Sequence, residues 1–354
     1  MIDVLRSPIG LDFGARRIRA MQLTRKPGGW RVAAATAYPR LEPGQPVSAR
    51  EVHKLVGILD RQGFRGEQVV TALPGDSLLS GILDVPHNQE EHARQQVARA
   101  ELARMHELSG PQVEMTCWEL PRNNNARSAC QVMAVGYAHD RANALLDVLA
   151  EGGLDVVALD ARNIALCRAI TPLRETPESI LGLLDIRWDY AKLSMLYQDR
   201  IAYERRIEQG GLSSLYKALA DQTNLSEETF DYLLGRLDLS EPEAEQIHDP
   251  QSTLSPRAMD EIGEIVLSYV EELCEQMSTP ISYVNHQYPG GTLAKVVLAG
   301  QVASTRGMGQ VISRQLSLPV QLAEVRAMLD CPETLFRCCG PEMAGAVGFC
   351  LFSE

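Results

Sequence analysis

The sequence holds no uninterrupted apolar run of about 18 residues, the length a helix needs to cross a bilayer, and this excludes a membrane-spanning helix. From Met1 the chain passes into a strand without a charged and then apolar leader, so no secretory signal is expected and a cytoplasmic location follows. An excess of positive charge is also missing. Lys and Arg number 34 against 46 Asp and Glu, a net charge of −12, which argues against a dedicated nucleic-acid binder. The local basic groups, Arg16, Arg17 and Arg19 and then Arg205 and Arg206, are expected to be solvated strand edges. The eight cysteines form no paired C-x-x-C motifs, and the adjacent Cys338 and Cys339 are expected to be reduced and partly buried. His92, His106 and His139 lack ligand spacing, so no metal site is expected. Aromatic residues are few, at 5%. What remains, 45% hydrophobic and 23% charged residues over 354 positions, is an ordinary soluble globular composition long enough for two or more domains.

What the chain does have is a repeat. Ile9-Gly10-Leu11-Asp12-Phe13-Gly14 is an apolar strand ending in an acidic residue at a turn, and Leu181-Gly182-Leu183-Leu184-Asp185-Ile186 says the same thing again. The two aspartates lie 173 positions apart (185 minus 12). Each copy is followed by alternating stretches that read as hairpins. Two such units imply a duplicated, two-lobed α/β core whose strand-end turns face each other across a cleft, where they can grip phosphates and a metal ion. The competing reading is two unrelated hairpins.

Strands are expected at 9–14, 17–25 and 30–37, a helix carrying Val52, Leu55, Val56 and Leu59 at helical spacing, and a strand at 68–73. Residues 76–137 differ in texture: a strand, a charged helix over 89–108, and strands near 113–120 and 130–137 joined by Asn123-Asn124-Asn125. This reads as an α+β insertion. A helix with Ala142, Leu145, Leu146 and Leu149, capped by Asp140, leads to a strand ending at Asp160 and a helix over 161–170. Strands at 180–185, 191–198 and 201–208 repeat the scheme, and Gly210-Gly211 opens a helix. Residues 224–288 are expected to be mostly helical, with an acidic stretch at 240–255 and a clear helix at 260–277. A strand at 295–298, a turn at Ala299-Gly300, a helix to Leu316, a strand at 318–322 and an apolar helix at 342–351 complete the chain. The expected partition is 1–75 with 138–175 and 340–354 as the core of lobe one, 76–137 as the insertion, 176–223 with 289–339 as the core of lobe two, and 224–288 as its helical subdomain.

This order of elements resembles the actin/Hsp70/sugar-kinase superfamily, with its duplicated ribonuclease H-like core. More narrowly it resembles the type IV pilus assembly protein PilM family, relatives of the division protein FtsA. The residues that carry the resemblance are the loop at Ile9–Gly14, Thr71-Ala72-Leu73-Pro74-Gly75, Asp160 with Ala165-Leu166, Leu184-Asp185-Ile186 with Gly210-Gly211, Leu298-Ala299-Gly300, and Leu318-Pro319-Val320. The resemblance implies an actin-like fold with an FtsA/PilM-type inserted subdomain. Its nucleotide site would fall on Asp12, Phe13, Gly14, Asp185, Arg187 and Gly300.

Departures from the family pattern coincide at that site. Gly14 is followed by Ala15-Arg16-Arg17, with Arg19 where the family has lysine; Asp185-Ile186 is followed by Arg187-Trp188; Arg162 stands where the family has an acidic residue; and a triple-glycine loop is replaced by Gly300-Gln301-Val302. Bulk where backbone N–H groups would hold phosphate points to an eroded site with no catalytic residue, no dedicated metal, and no or weak ATP and magnesium binding. Asp12 and Asp185 would either position a metal-bound water or cap their own turns. Arg16, Arg17 and Arg187 would either bind phosphate or form surface and interlobe ion pairs. The resemblance implies a scaffold peripheral to the cytoplasmic face of the inner membrane, in a type IV pilus or related type II secretion or pilus machine. Its partners would be the cytoplasmic N-terminal tail of a PilN-like single-span protein and the cytoplasmic assembly ATPase. The alternatives are an active ATPase or small-molecule kinase, or an FtsA-like filament protein.

Overall fold

A computed structural model describes residues 5–75, 77–86, 90–121, 129–176, 178–198, 200–223, 225–240, 256–288 and 291–352. The expected asparagine turn at 123–125 and most of the acidic stretch at 240–255 lie outside the described residues.

Lobe one begins with β1 (Ile9–Phe13), β2 (Arg17–Lys26) and β3 (Gly29–Pro39), an antiparallel meander. After α1 (Ala49–Arg61), β4 (Gln68–Thr71) pairs parallel to β1. Ser48 caps α1 by accepting from Glu51 N–H, and Val52, Leu55 and Leu59 recur on its buried face. The inserted subdomain follows: β5 (Leu79–Pro86), α2 (Glu91–Met105), β6 (Val113–Glu119) and β7 (Ala129–Ala138), an antiparallel sheet in the order β5-β7-β6. The chain then returns through α3 (His139–Glu151) and β8 (Asp155–Leu159) into α4 (Arg162–Ile170). The first sheet has the order β3-β2-β1-β4-β8.

Lobe two repeats this plan. A meander of β9 (Ile180–Ile186), β10 (Ala191–Tyr197) and β11 (Arg200–Ile207) leads to α5 (Leu212–Thr223), α6 (Glu227–Leu234) and α7 (Pro256–Gln287). Next come β12 (Leu293–Gly300), α8 (Met308–Leu316), β13 (Val320–Leu322), α9 (Val325–Met328) and α10 (Ala344–Cys350). The order β11-β10-β9-β12-β13 mirrors the first sheet. The duplication extends to register: Asp12 lies opposite Arg19, and Asp185 opposite Lys192.

Alternation along β1 sends Ile9, Leu11 and Phe13 against α1 and α3, and sends Gly10 and Asp12 to the other face. That second face is covered by α10, a segment buried on every side, which lies between the sheet and α4. Their contact is close because it is made of glycine. A Cβ on Gly348 would stand 1.9 Å from Ala165 O, and one on Gly10 would stand 2.2 Å from Ala346 O. On its far side α4 packs Leu166, Cys167 and Ile170 against Leu181, Leu183, Val297 and Ala299 of the second sheet. Leu120, Met133 and Val135 of the insertion join that same core, and Trp118 Nε1 donates to Ile201 O at 3.0 Å. The insertion is thus anchored to lobe two as well as to the lobe that carries it.

Three expectations need correction. Asp140 sits in the first turn of α3, whose cap is Ala138, so it does not cap that helix. The helix expected at 260–277 runs on through Pro280 to Gln287; Met277, Val284 and Tyr288 stay buried against lobe two, and this packing carries it across the missing proline donor. The segment 325–339, assigned to lobe two, packs against the lobe-one meander: Val325 and Cys339 share a core with Met21, Leu23 and Val32, and Val32 N donates to Asp330 O at 2.9 Å.

Candidate functional site

The two strand-end carboxylates face each other as the repeat implies, but a side chain lies between them. Arg162, the first residue of α4, donates from Nε to Asp12 Oδ1 at 3.1 Å and from Nη1 to Asp185 Oδ2. All three side chains are largely buried. A Cβ on Gly345 of α10 would fall 2.9 Å from Asp12 Oδ2 and 3.4 Å from Arg162 Nε, so glycine there makes room for the pair. Among the described residues neither carboxylate accepts a backbone N–H of its own turn, so the capping reading does not hold. The metal-water reading meets a guanidinium where a cation would sit. One arginine supplies the positive charge and ties lobe one to lobe two.

Burial alone would push the Asp12 carboxyl up. Arg162, and after it Arg19, more than offset this and leave it below its ordinary value of 3.8. A carboxyl lowered in the folded state stabilises fully above its unfolded value, and loses that contribution as pH falls through the lower folded value. Unfolding free energy measured in urea should therefore drop steeply below about pH 3.8. Asp12→Asn should flatten that part of the profile; an unchanged slope would remove Asp12 from the acid response.

A second tie crosses the cleft at the first turn. The guanidinium of Arg16 lies 4.4 Å from the Trp188 ring centroid and 5.3 Å from that of Tyr216. It also reaches Glu227 at 3.5 Å and Asp231 at 3.6 Å. Trp188 meets Tyr216 edge-on at 5.0 Å. Arg187 turns away, donating to Tyr190 Oη and, at 3.2 Å, to Gly75 O. The N-terminus of α5 is closed as well: Leu212 N and Ser213 N donate to the carbonyls of Arg187 and Trp188 at 2.8 Å. The first basic group is thus no solvated edge. Arg16 is held by lobe two, and Arg19 is 9% exposed because it sits opposite Asp12 beneath the cleft.

Of the expected site residues, Asp12, Gly14, Arg187 and Gly300 line one cavity, with Phe13 buried behind them and Asp185 on the other side of Arg162. Gly300 has φ 102°, and a Cβ there would lie 2.2 Å from Ile186 O, so this turn requires glycine. The cavity has a volume of about 50 Å³ and shares Arg17, Arg19, Leu212, Gln301 and Glu342 with a neighbouring one of about 270 Å³, so what decides the fit is the side chains rather than the space. As arranged, these residues do not fit a magnesium nucleotide: the cation position holds Arg162, and Arg16 stacked on Trp188 fills the phosphate approach. Among the described residues no group of three or more His, Cys, Asp or Glu could hold a metal ion. The bridging role of Arg162 was missed in the sequence. The signal was a single cation placed among residues whose two strand-end acids needed one.

Two lobes with mirrored sheets, joined by α4 and α10 and facing each other through strand-end aspartates, define an actin-like fold. Solved structures agree. A PilM–PilN type IV pilus biogenesis complex matches with TM-score 0.76 at 18% identity, covering 98% of both chains. The ethanolamine utilization protein EutJ from Carboxydothermus hydrogenoformans matches with TM-score 0.56 at 15% identity, over 99% of this chain and 90% of that one. A diol dehydratase-reactivating factor in nucleotide-free form matches with TM-score 0.54 at 8% identity, over 98% and 99%. No curated protein matches in sequence. Residues 10–337 match the family described as type IV pilus assembly protein PilM, and the chain belongs to that family.

Proposed function

We propose that this protein is a non-hydrolysing scaffold of an inner-membrane assembly platform, in a type IV pilus or a related type II secretion or pilus machine. It would hold the cytoplasmic tail of a PilN-like single-span membrane protein and offer a second surface to the cytoplasmic assembly ATPase. Family membership supports the setting, and a similar fold occurs in a solved complex of PilM with PilN. Among the described residues no helix is long and apolar enough to cross a membrane, so recruitment to the cytoplasmic face would come through that partner. The observation that carries the non-hydrolysing part is the Arg162 bridge. In-line phosphoryl transfer needs a metal on the carboxylates and a positioned nucleophile, and the bridge takes both carboxylates.

Titration with the tail peptide of a co-encoded single-span protein should raise the melting temperature in a saturable way. Magnesium and ATP should give turnover well below about 1 per second, the low end of ordinary enzymes, with Asp12→Ala no slower. Turnover at that rate that disappears in Asp12→Ala would promote the ATPase reading. Absence of any peptide response would sink the scaffold reading.

A further inference from the structure

The segment 325–339 links β13 of lobe two to α10, and on the way it lies like a strap on the lobe-one meander. Its ties there are few. Asp330 takes Lys26 Nζ at 2.6 Å and Arg31 Nε at 3.7 Å, and Val325 N donates to Cys339 O at 3.3 Å. The strap also carries three of the chain's eight cysteines, Cys331, Cys338 and Cys339. Cys331 and Cys339 are eight positions apart (339 minus 331), but a short helical turn over Glu333–Cys338 folds the chain back between them. Cys331 Sγ then donates to Cys339 Sγ at 3.0 Å. A disulfide bond is about 2.05 Å long, so the two sulfurs need approach by only about 1 Å. Both are packed on the same core, beside Met21, Leu23 and Val32, and nothing has to unfold to bring them together. Among the described residues no group of three or more His, Cys, Asp or Glu could hold a metal ion, which leaves thiol chemistry as what this pair can do.

We propose that Cys331 and Cys339 form a reversible disulfide, made by exchange with a low-molecular-weight disulfide, that staples the strap over the lobe-one meander. The two sulfurs differ in access. Cys339 is buried, and burial, followed by the contact with Cys331, pushes its thiol up. Cys331 is partly exposed, so the oxidant RS–SR meets it first. The Cys331 thiolate attacks one sulfur of RS–SR; a Cys331–SR bond forms, and RS⁻ leaves and takes up the proton that Cys331 lost. Cys339 then gives its proton to the second departing RS⁻ as its sulfur attacks Cys331 Sγ and displaces that group. Two electrons and two protons pass from the protein to the oxidant, which ends as two thiols. The closed loop carries the exposed Phe336 and Arg337, and it limits how far the strap can open from the core it covers.

The test uses the full-length protein equilibrated against mixtures of reduced and oxidised glutathione, then quenched in acid, alkylated and mapped by mass spectrometry. The expected product is one internal disulfide joining Cys331 to Cys339, with a mass loss of two hydrogens. Its melting temperature should rise by at least about 2 °C, and dithiothreitol should reverse both changes. Hydrogen exchange of the 325–339 amides should slow at least about tenfold on oxidation. Cys331→Ser and Cys339→Ser should each abolish these effects, and Cys338→Ser should keep them. Cys331 is partly exposed, so its variant decides the matter if Cys339→Ser fails to fold. A glutathione adduct that stays on Cys331, a bond made by Cys338 instead, loss of the effects in Cys338→Ser, or an internal bond that leaves melting and exchange unchanged overturns the proposal. These readouts need no partner, so they stand apart from the tail-peptide titration that tests the scaffold reading.

Discussion

Arg162→Ala should cost about 3–5 kcal/mol of stability, the loss typical when one partner is removed from a buried ion pair. It should also make the protein respond to magnesium. Asp12 and Asp185 would then face each other across the cleft with no cation between them, an arrangement that repels until a divalent ion arrives. Millimolar magnesium should recover part of the lost melting temperature in the variant and leave the parent unchanged. Arg162→Lys should fall between the two, because a single ammonium cannot fork to carboxylates on two lobes. A variant that melts within about 1 °C of the parent, or the same magnesium response in both, would falsify the view that this arginine replaces a metal.

The second large effect should come from a methyl group. In Gly348→Ala the new Cβ would sit 1.9 Å from Ala165 O, against backbone that cannot swing aside. Overpacking a tight core costs about 1–3 kcal/mol and sometimes more, and here two buried helices would have to move apart. We expect loss at or beyond the upper end of that range, with much of the protein insoluble. Gly57→Ala is the matched control. It lies inside α1, and its Cβ would meet only the end of the Arg61 side chain at 3.4 Å, so higher helix propensity should raise stability by about 0.5–1 kcal/mol. Chemical denaturation of both variants decides the matter; a well-folded Gly348→Ala would mean the seam is looser than its geometry.

What the sequence revealed and what it hid follow from how local each signal is. The strand–aspartate–turn copies, the hairpins and the amphipathic face of α1 are written in consecutive residues, and these elements are found where the pattern puts them. The bulk and charge of Arg16, Arg162, Arg187 and Trp188 beside the strand-end turns were legible too, since these residues stand next to the motifs themselves. The Arg162 bridge was not, because it joins positions 150 and 23 residues away in sequence, and no periodicity connects them. The allegiance of 325–339 to lobe one escaped for the same reason: short turns around Cys331 and Cys339 carry no period, and only the meander they cover shows where they belong. Arg19 looked like a surface charge until the register set it opposite Asp12.

The glycine seam also bears on the order in which the molecule can be made. Arg168 of α4 donates to Gly348 O of α10 at 2.7 Å, across 180 residues of sequence. Every strand of the first sheet leaves the ribosome before lobe two is begun, yet the groove that receives α10 stays open until lobe two has been synthesised. At about 5–20 residues per second, the apolar face behind Gly10 and Met21 waits roughly 9–36 seconds for its cover. Lobe one is therefore first to be translated and among the last parts to be sealed.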